Sequence, residues 1–391
     1  MLKRYPLCVY LAGAIAARSG DEMSGPALML AGFALAGSTA EASSLLAGIT
    51  ISAAVGGPVL GVLLDRALRP GRLLAWALML YAAGLGVILW GLGRLPFAVT
   101  LVLALVVGLL GPALSGGWTA QLPRVVHCDR LPRANALEAM AFGVAGLAGP
   151  ALAGGVAEVL GASSAVVVSA ALIALALPAA WMLPARSGRV RGAQATSVIG
   201  DLAAGLRIIA GRPLLARATV TSSVSCTAQG MLMACIPLLG ERALGGAGRG
   251  VVLLSCAAVS ALVANAVLAR FPVAVAPDTM IWTGALVQAT GLTLAVVGSP
   301  VLLIMGALMA GVGEGPQLAA LFAVRHREAP EHLLGRIFTA GASLKITGFA
   351  LGAAVSGPLA AWSLTAALAL AASVAALAAL AYVTLPSTAC G

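Results

Sequence analysis

Five charged side chains lie inside long apolar runs of this 391-residue chain: Arg18, Asp21 and Glu22 in the first run, and Glu314 and Lys345 near the end. Carboxylates and cations in such places can carry protons or hold a polar ligand. A charge at the bilayer centre costs at least about 2.5 kcal/mol, so each should face a cavity or a partner. Arg18 stands three and four residues before Asp21 and Glu22, which puts the three on one helical face. They read as a self-neutralising cluster that orders packing or as groups lining a polar cavity. Glu314 has no cation within a helical turn, which makes it the better proton carrier, and Lys345 is its one intramembrane counter-charge in that part of the chain. Gln229, Asn265, Gln288 and Gln317 read first as interhelical hydrogen bonds. Glu138 and Glu158, near helix ends, read as interfacial charges. Six cysteines are scattered singly with no CxxC, and the three histidines sit at helix ends. No metal site, disulfide framework or cofactor is expected.

The elements that hold these residues must be membrane helices. Hydrophobic residues make up 61% of the chain and charged ones 9%, with a mean hydropathy of +1.04. A soluble domain carries roughly 25% charge, so lipid must be the solvent for most of this surface. Gly at 48 residues fits helices that approach through small side chains, because lipid does not press apolar residues together. The net charge of +10 sits in short clusters between apolar runs, with no aromatic-interleaved stripe, which excludes a nucleic-acid partner. The first twenty residues resemble a signal peptide. The apolar pattern nevertheless resumes after Glu22 as far as Gly37, so the segment reads as one polar-interrupted crossing.

A crossing needs roughly 20 apolar residues. Counting such runs predicts twelve helices over 6–37, 43–64, 73–93, 96–122, 134–159, 162–185, 212–239, 248–269, 279–298, 300–325, 335–361 and 363–385. With both termini inside, 18 of the 23 Lys and Arg fall in cytoplasmic segments and three outside, a strong positive-inside bias. The polar stretch 186–211 divides the chain into six-helix halves, 1–185 and 212–391. An internal echo supports that division. Leu131-Pro132-Arg133 enters a helix carrying Gly149-Pro150, and Leu334-Gly335-Arg336 enters one carrying Gly357-Pro358. Two related halves around a central cavity is a common transporter plan.

Four stretches together resemble the major facilitator superfamily, and within it the branch of enterobactin-type and macrolide-type exporters. Gly61-Val-Leu-Leu-Asp65-Arg66, followed by Arg69 and Arg72, is similar to the signature loop between helices two and three, although Leu68 stands where the family has Gly. Leu131-Pro-Arg-Ala-Asn135-Ala-Leu137, Gly20-Asp21 and Leu334-Gly335-Arg336-Ile-Phe338 are similar to that branch. The resemblance implies an all-α fold of two pseudo-symmetric six-helix bundles, and it implies that Asp65 latches the halves on the cytoplasmic side. Gly146, Gly149, Pro150, Gly154 and Gly155 resemble the helix-five motif of facilitator antiporters, with one extra residue, Ala153. Small residues at these spacings let backbones approach, and the proline frees a carbonyl. Family antiporters often carry an Arg within helix four. Leu101–Gln121 contains none, so proton coupling would use Asp21, Glu22 or Glu314.

These features predict a monomeric, proton-coupled exporter of a small amphipathic compound (a drug, antibiotic, siderophore or similar metabolite) in the inner membrane. An importer on the same fold is the alternative. A membrane-embedded enzyme would need a His/Asp/Glu or nucleophile constellation, and no HExxH-like spacing occurs. A non-transporting scaffold is a further alternative. The charge pattern gives the first test. A cysteine at Ser187 should resist impermeant thiol labelling from outside intact cells, and one at Thr39 should be labelled. The opposite result overturns the helix assignment.

Overall fold

The computed structural model describes residues 6–36, 39–185, 207–271 and 275–384. Twelve long helices account for nearly all of them. They are α1 (Leu7–Ala36), α2 (Thr39–Arg66), α3 (Pro70–Gly91), α4 (Phe97–Gly108, resumed as a π-helical turn at Ala113–Gly117), α5 (Leu131–Leu160), α6 (Ala162–Leu175 and Leu177–Trp181), α7 (Pro213–Ala243), α8 (Val251–Arg270), α9 (Pro277–Val296), α10 (Pro300–Glu328), α11 (Leu334–Trp362) and α12 (Leu364–Thr384). Eleven of these are long and apolar enough to cross a bilayer. The twelfth, α1, spans 30 residues and contains Arg18, Asp21 and Glu22. The chain is an all-α membrane protein. Most of the expected 186–211 connector, residues 186–206, lies outside the described residues.

Helix boundaries follow local chemistry more than hydropathy. Pro70, Pro213, Pro277 and Pro300 open α3, α7, α9 and α10, where a missing N–H costs no helical hydrogen bond. Gly93, Gly161, Gly245 and Gly298 have φ between +74° and +89°, and they end α3, α5, α7 and α9 in the left-handed turn that favours glycine. Two helices outrun their apolar segments. α7 continues to Ala243 and α10 to Glu328, beyond the expected ends at 239 and 325. Backbone hydrogen bonding persists into the interface although the side chains become charged. The expected single helix 96–122 is interrupted by the π turn, and the expected 162–185 breaks at Ala176 ahead of Pro178.

By internal contacts the chain forms two compact units. The first holds residues 1–128, 144–206 and 330–343, and the second 129–143, 207–329 and 344–391. In the first, α1 packs on α6 and α2 on α4. A Cβ at Gly20 would stand 2.6 Å from the Ile173 side chain and 2.8 Å from the Ser169 carbonyl, and Ser169 Oγ donates to the Gly20 carbonyl at 2.7 Å. In the second, α9 and α10 cross through facing glycines. A Cβ at Gly284 would lie 2.7 Å from the Gly313 carbonyl, and one at Gly291 2.5 Å from the Gly306 carbonyl. α12 turns a fully buried stripe of Ala367, Ala371, Ala375 and Ala378 inward. At its end the Tyr382 hydroxyl donates to Asp278 at 2.7 Å, and Arg327 reaches the same carboxylate at 3.1 Å.

The glycine crossing generates a stability test. Gly291→Leu should cost at least about 1–3 kcal/mol through overpacking, visible as a lowered thermal unfolding midpoint in detergent. Gly86→Ala, where a Cβ meets nothing within 4 Å, should be neutral or stabilising. Equal effects would rule out backbone approach as the determinant.

Candidate functional site

The first unit contains a polar cluster built on α1. Arg18 is 2% exposed, and its Nη2 donates to Thr119 Oγ1 at 3.0 Å. Trp118 and Thr119 follow the π-helical turn of α4, and the Trp118 carbonyl accepts a hydrogen bond from the Tyr10 hydroxyl at 3.1 Å. Asp21 accepts a hydrogen bond from the Tyr81 hydroxyl of α3 at 2.7 Å, and Ser24 Oγ lies 3.0 Å from that hydroxyl. Asp21 lies within electrostatic range of both Arg18 and Glu22. Glu22 is exposed. A Cβ at Gly149 of α5 would stand 2.9 Å from the Met23 amide, so α5 passes α1 at backbone distance. Gly146, Gly154 and Gly155 differ. A Cβ there would meet no atom within 4 Å, and Pro150 is exposed. Of the five residues of the helix-five motif, Gly149 alone marks a close approach.

Asp65 ends α2 in the same unit and is 6% exposed. Its carboxylate accepts hydrogen bonds from the backbone amides of Gly335 at 2.8 Å and Arg336 at 3.0 Å, with Arg336 Nε at 3.6 Å. These are unsatisfied first-turn amides of α11, at the positive end of its dipole. Glycines make the approach possible. A Cβ at Gly61 would fall 2.6 Å from the Arg336 Cα, and one at Gly335 would fall 2.7 Å from Asp65 Oδ1. Arg66 closes α2, Arg69 immediately precedes α3, and Arg72 stacks over Trp181, 5.3 Å from the ring centroid.

In the second unit Glu314 is exposed on α10 and Lys345 half-buried on α11. The two interact electrostatically, and Cys226 of α7 lies in the field of both. Beside them runs an amide ladder. Gln229 donates to Gln288 at 3.1 Å, Gln288 to Gln317 at 3.0 Å, and Gln317 to Ser225 Oγ at 3.2 Å and the Ile281 carbonyl at 3.0 Å. Gln288 and Gln317 are 3% and 4% exposed, so these amides are interhelical hydrogen bonds linking α7, α9 and α10.

Sequence reasoning missed three contributors. Tyr81 donates to Asp21, and its signal was the scarcity of tyrosine, four in the chain; a buried phenol needs a partner. Glu138, read as an interfacial charge, is 0% exposed. It lies two turns into α5, where residues 129–143 belong to the second unit. Arg325 is 2% exposed in the last turn of α10. No group of three or more metal-ligating side chains occurs among the described residues.

Twelve long helices, eleven of them apolar enough to cross a bilayer, with charged and amide clusters inside them define a polytopic membrane protein of the all-α class. Residues 10–275 match the Major Facilitator Superfamily, and the chain belongs to that superfamily. It is 29% identical over 294 residues, 74% of this chain and 72% of the relative, to the uncharacterized MFS-type transporter y4rN of Sinorhizobium fredii. Its fold is similar to that of the human organic anion transporter MFSD10, with a TM-score of 0.80 at 16% identity, covering 98% of this chain and 100% of that one. It is also similar to the Escherichia coli fucose:proton symporter FucP, with a TM-score of 0.74 at 14% identity, covering 99% and 100%. At such identities the likeness establishes the fold alone. The protein is a secondary transporter of small molecules, not an enzyme.

The Asp65 geometry predicts a change in hydrogen exchange. Hydrogen bonds to a charged group contribute about 1.5–3 kcal/mol, so Asp65→Asn should accelerate exchange at the Gly335 and Arg336 amides by about 10- to 100-fold. Unchanged protection would show that the carboxylate charge does not hold the start of α11.

Proposed function

We propose that the protein exports a small amphipathic organic compound in exchange for protons by alternating access, as a monomer in the inner membrane with both termini in the cytoplasm. The observation that carries this reading is the placement of Glu314. It is an exposed carboxylate within a membrane-spanning helix, with Lys345 as its electrostatic partner. An ionisable side chain held in such a place at such a cost is a functional group by default. The resemblance of residues 61–72 and 131–137 to enterobactin-type and macrolide-type exporters supports the outward direction. The bodies that move are the halves 1–185 and 212–391, joined by the cytoplasmic connector 186–211.

Roles follow from chemistry. Glu314 carries the proton, with Lys345 stabilising its charged form. Asp21, Glu22 and Arg18 form the corresponding group of the N-terminal half, with Tyr81 and Thr119 fixing two of them. Asp65, framed by Gly61 and the cations Arg66, Arg69 and Arg72, latches the cytoplasmic side while the cavity faces outward. Gly146, Gly149, Pro150, Gly154 and Gly155 give α5 a surface that can slide and bend. A labelled panel of antibiotics, siderophores and nutrients offered to inverted vesicles under a proton gradient tests direction and class. Accumulation inside supports export, whereas uptake into right-side-out vesicles alone would establish an importer.

Glu314→Gln should abolish proton-driven uphill transport yet permit exchange down a substrate gradient, because the neutral amide mimics the protonated acid. Concentration of substrate against its gradient by this variant would remove Glu314 from the coupling step. Loss of substrate binding itself would instead make Glu314 a ligand for a cationic substrate.

A further inference from the structure

The end of α3 carries a stripe from which two side chains are missing. Gly86, Leu89, Trp90 and Gly93 recur at i, i+3, i+4 and i+7, the spacing of one helical face. A Cβ at Gly86 would meet no atom within 4 Å, and the nearest atom to one at Gly93 is the Leu35 carbonyl oxygen at 3.6 Å. With Leu35 in the last turn of α1 and Ser163 in the first turn of α6, the stripe lines an open groove of about 600 Å³. That volume suits a small-molecule ligand. All of these residues belong to the first unit. α1 and α3 both pack on α6, so the groove lies between their ends, over the start of α6.

Its depth in the bilayer follows from α3. The helix has 22 residues, about 33 Å at 1.5 Å each, against a hydrocarbon core of about 30 Å. Its end therefore marks the membrane boundary. Trp90 is 58% exposed there, as interfacial aromatics are. Arg94 sits just beyond. Its Nη1 donates to the Trp90 carbonyl at 2.9 Å, and its guanidinium lies over the Trp90 ring, 5.6 Å from the centroid. Arg94 is the one charged side chain among the described residues that line the groove. The groove is thus apolar over the Gly86–Leu89 turn and cationic at its rim.

That polarity fits an amphiphile with an anionic head. We propose that the groove binds one phospholipid with a net negative headgroup, its phosphodiester held by Arg94 and the Ser163 hydroxyl and one acyl chain laid along α3 from Trp90 to Gly86. A soluble anion would use the rim alone and leave the apolar floor uncovered. A zwitterionic headgroup fits less well, because Arg94 already covers the aromatic face that would receive its ammonium. Deeper in the unit, the Tyr81–Asp21 hydrogen bond joins the same two helices, α1 and α3. A lipid between their ends braces that pair again at the membrane boundary. The proposal depends on neither the substrate, the direction of transport nor the proton carrier.

Native mass spectrometry of the delipidated full chain, titrated with phosphatidylglycerol, reads this affinity without a transport substrate. Arg94→Gln should weaken the first binding event by about tenfold or more, because it removes the charged partner of the phosphodiester. Gly86→Leu should weaken it comparably by filling the groove. Arg249→Gln, at an exposed arginine of the second unit, should bind as the parent does. Phosphatidylethanolamine should bind more weakly than phosphatidylglycerol, and glycerophosphoglycerol, the same head without chains, should not displace the lipid. Parent-like affinity in Arg94→Gln or Gly86→Leu overturns the proposal, as does equal weakening in Arg249→Gln. Equal affinity for phosphatidylethanolamine, or displacement by the chainless head, overturns it too. Gly86 and Arg94 are exposed, so both variants should fold. Where one does not, the parent decides, through crosslinking by phosphatidylglycerol with a diazirine in its acyl chain. Adducts concentrated on Leu35 and residues 86–94 support the site, and adducts spread evenly over the exposed helices refute it.

Discussion

Hydrocarbon solvates no polar atom and presses no helices together, and in this protein one device answers both constraints. Glycines bring two backbones to contact distance, and the polar side chains beside them then meet. On α9 and α10 a Cβ at Gly313 would stand 3.1 Å from Gln288 Cγ, and one at Gly284 3.0 Å from Gln317 Cβ. That closeness lets Gln288 donate to Gln317 across the crossing. The α2–α11 contact works the same way, with Gly61 and Gly335 admitting Asp65 to the first amides of α11. Close packing and polar satisfaction are one feature here. A methyl group at any of these glycines would remove both.

The same device sorts the charges. Arg18, Asp65, Glu138 and Arg325 are buried among packed helices. Glu22 and Glu314 remain exposed within helices otherwise committed to the bilayer. A chain selected only for stability would replace such carboxylates with Leu at no loss of packing. Their retention is what makes them candidates for chemistry, whereas the sealed charges are candidates for holding helices together.

Hydropathy and charge clusters made the twelve crossings legible, because the bilayer imposes a length of roughly 20 apolar residues on each. Helix ends were less legible, since α7 and α10 run on through charged turns that a hydropathy count excludes. The π turn at Ala113–Gly117 has no apolar signature at all. It became visible only through what it presents, the Trp118 carbonyl to Tyr10 and Thr119 to Arg18. The site residues divide similarly. A charge inside an apolar run stands out in a sequence, so Arg18, Asp21, Glu22, Glu314 and Lys345 could be named. Their neutral partners could not, because Tyr81 and Thr119 are ordinary residues until the fold places them. Glu138 shows the converse. Its position near a helix end reads as interfacial, and the fold leaves it fully buried.

Helix four illustrates how a neighbouring helix supplies a cation that the helix's own sequence lacks. Leu101–Gln121 carries no cation, yet a guanidinium is present at its end because Arg18 crosses from α1 to Thr119. The consequence is an asymmetry between the units. In the first, cation and carboxylates share one turn of one helix, and Tyr81 and Thr119 hold Asp21 and Arg18 in fixed positions. In the second, Glu314 and Lys345 sit on different helices, α10 and α11, and depend on the packing between them. A pair carried on one helix keeps its spacing whatever the helix does. A pair divided between two helices changes its spacing whenever they shift. Both residues belong to the second unit, so their separation is set by how α10 and α11 pack within it. Proton affinity at a carboxylate depends on the distance to its counter-charge. That dependence is the reason the proposed coupling step is assigned to Glu314 rather than to Asp21: its counter-charge stands on another helix, whereas that of Asp21 stands on its own.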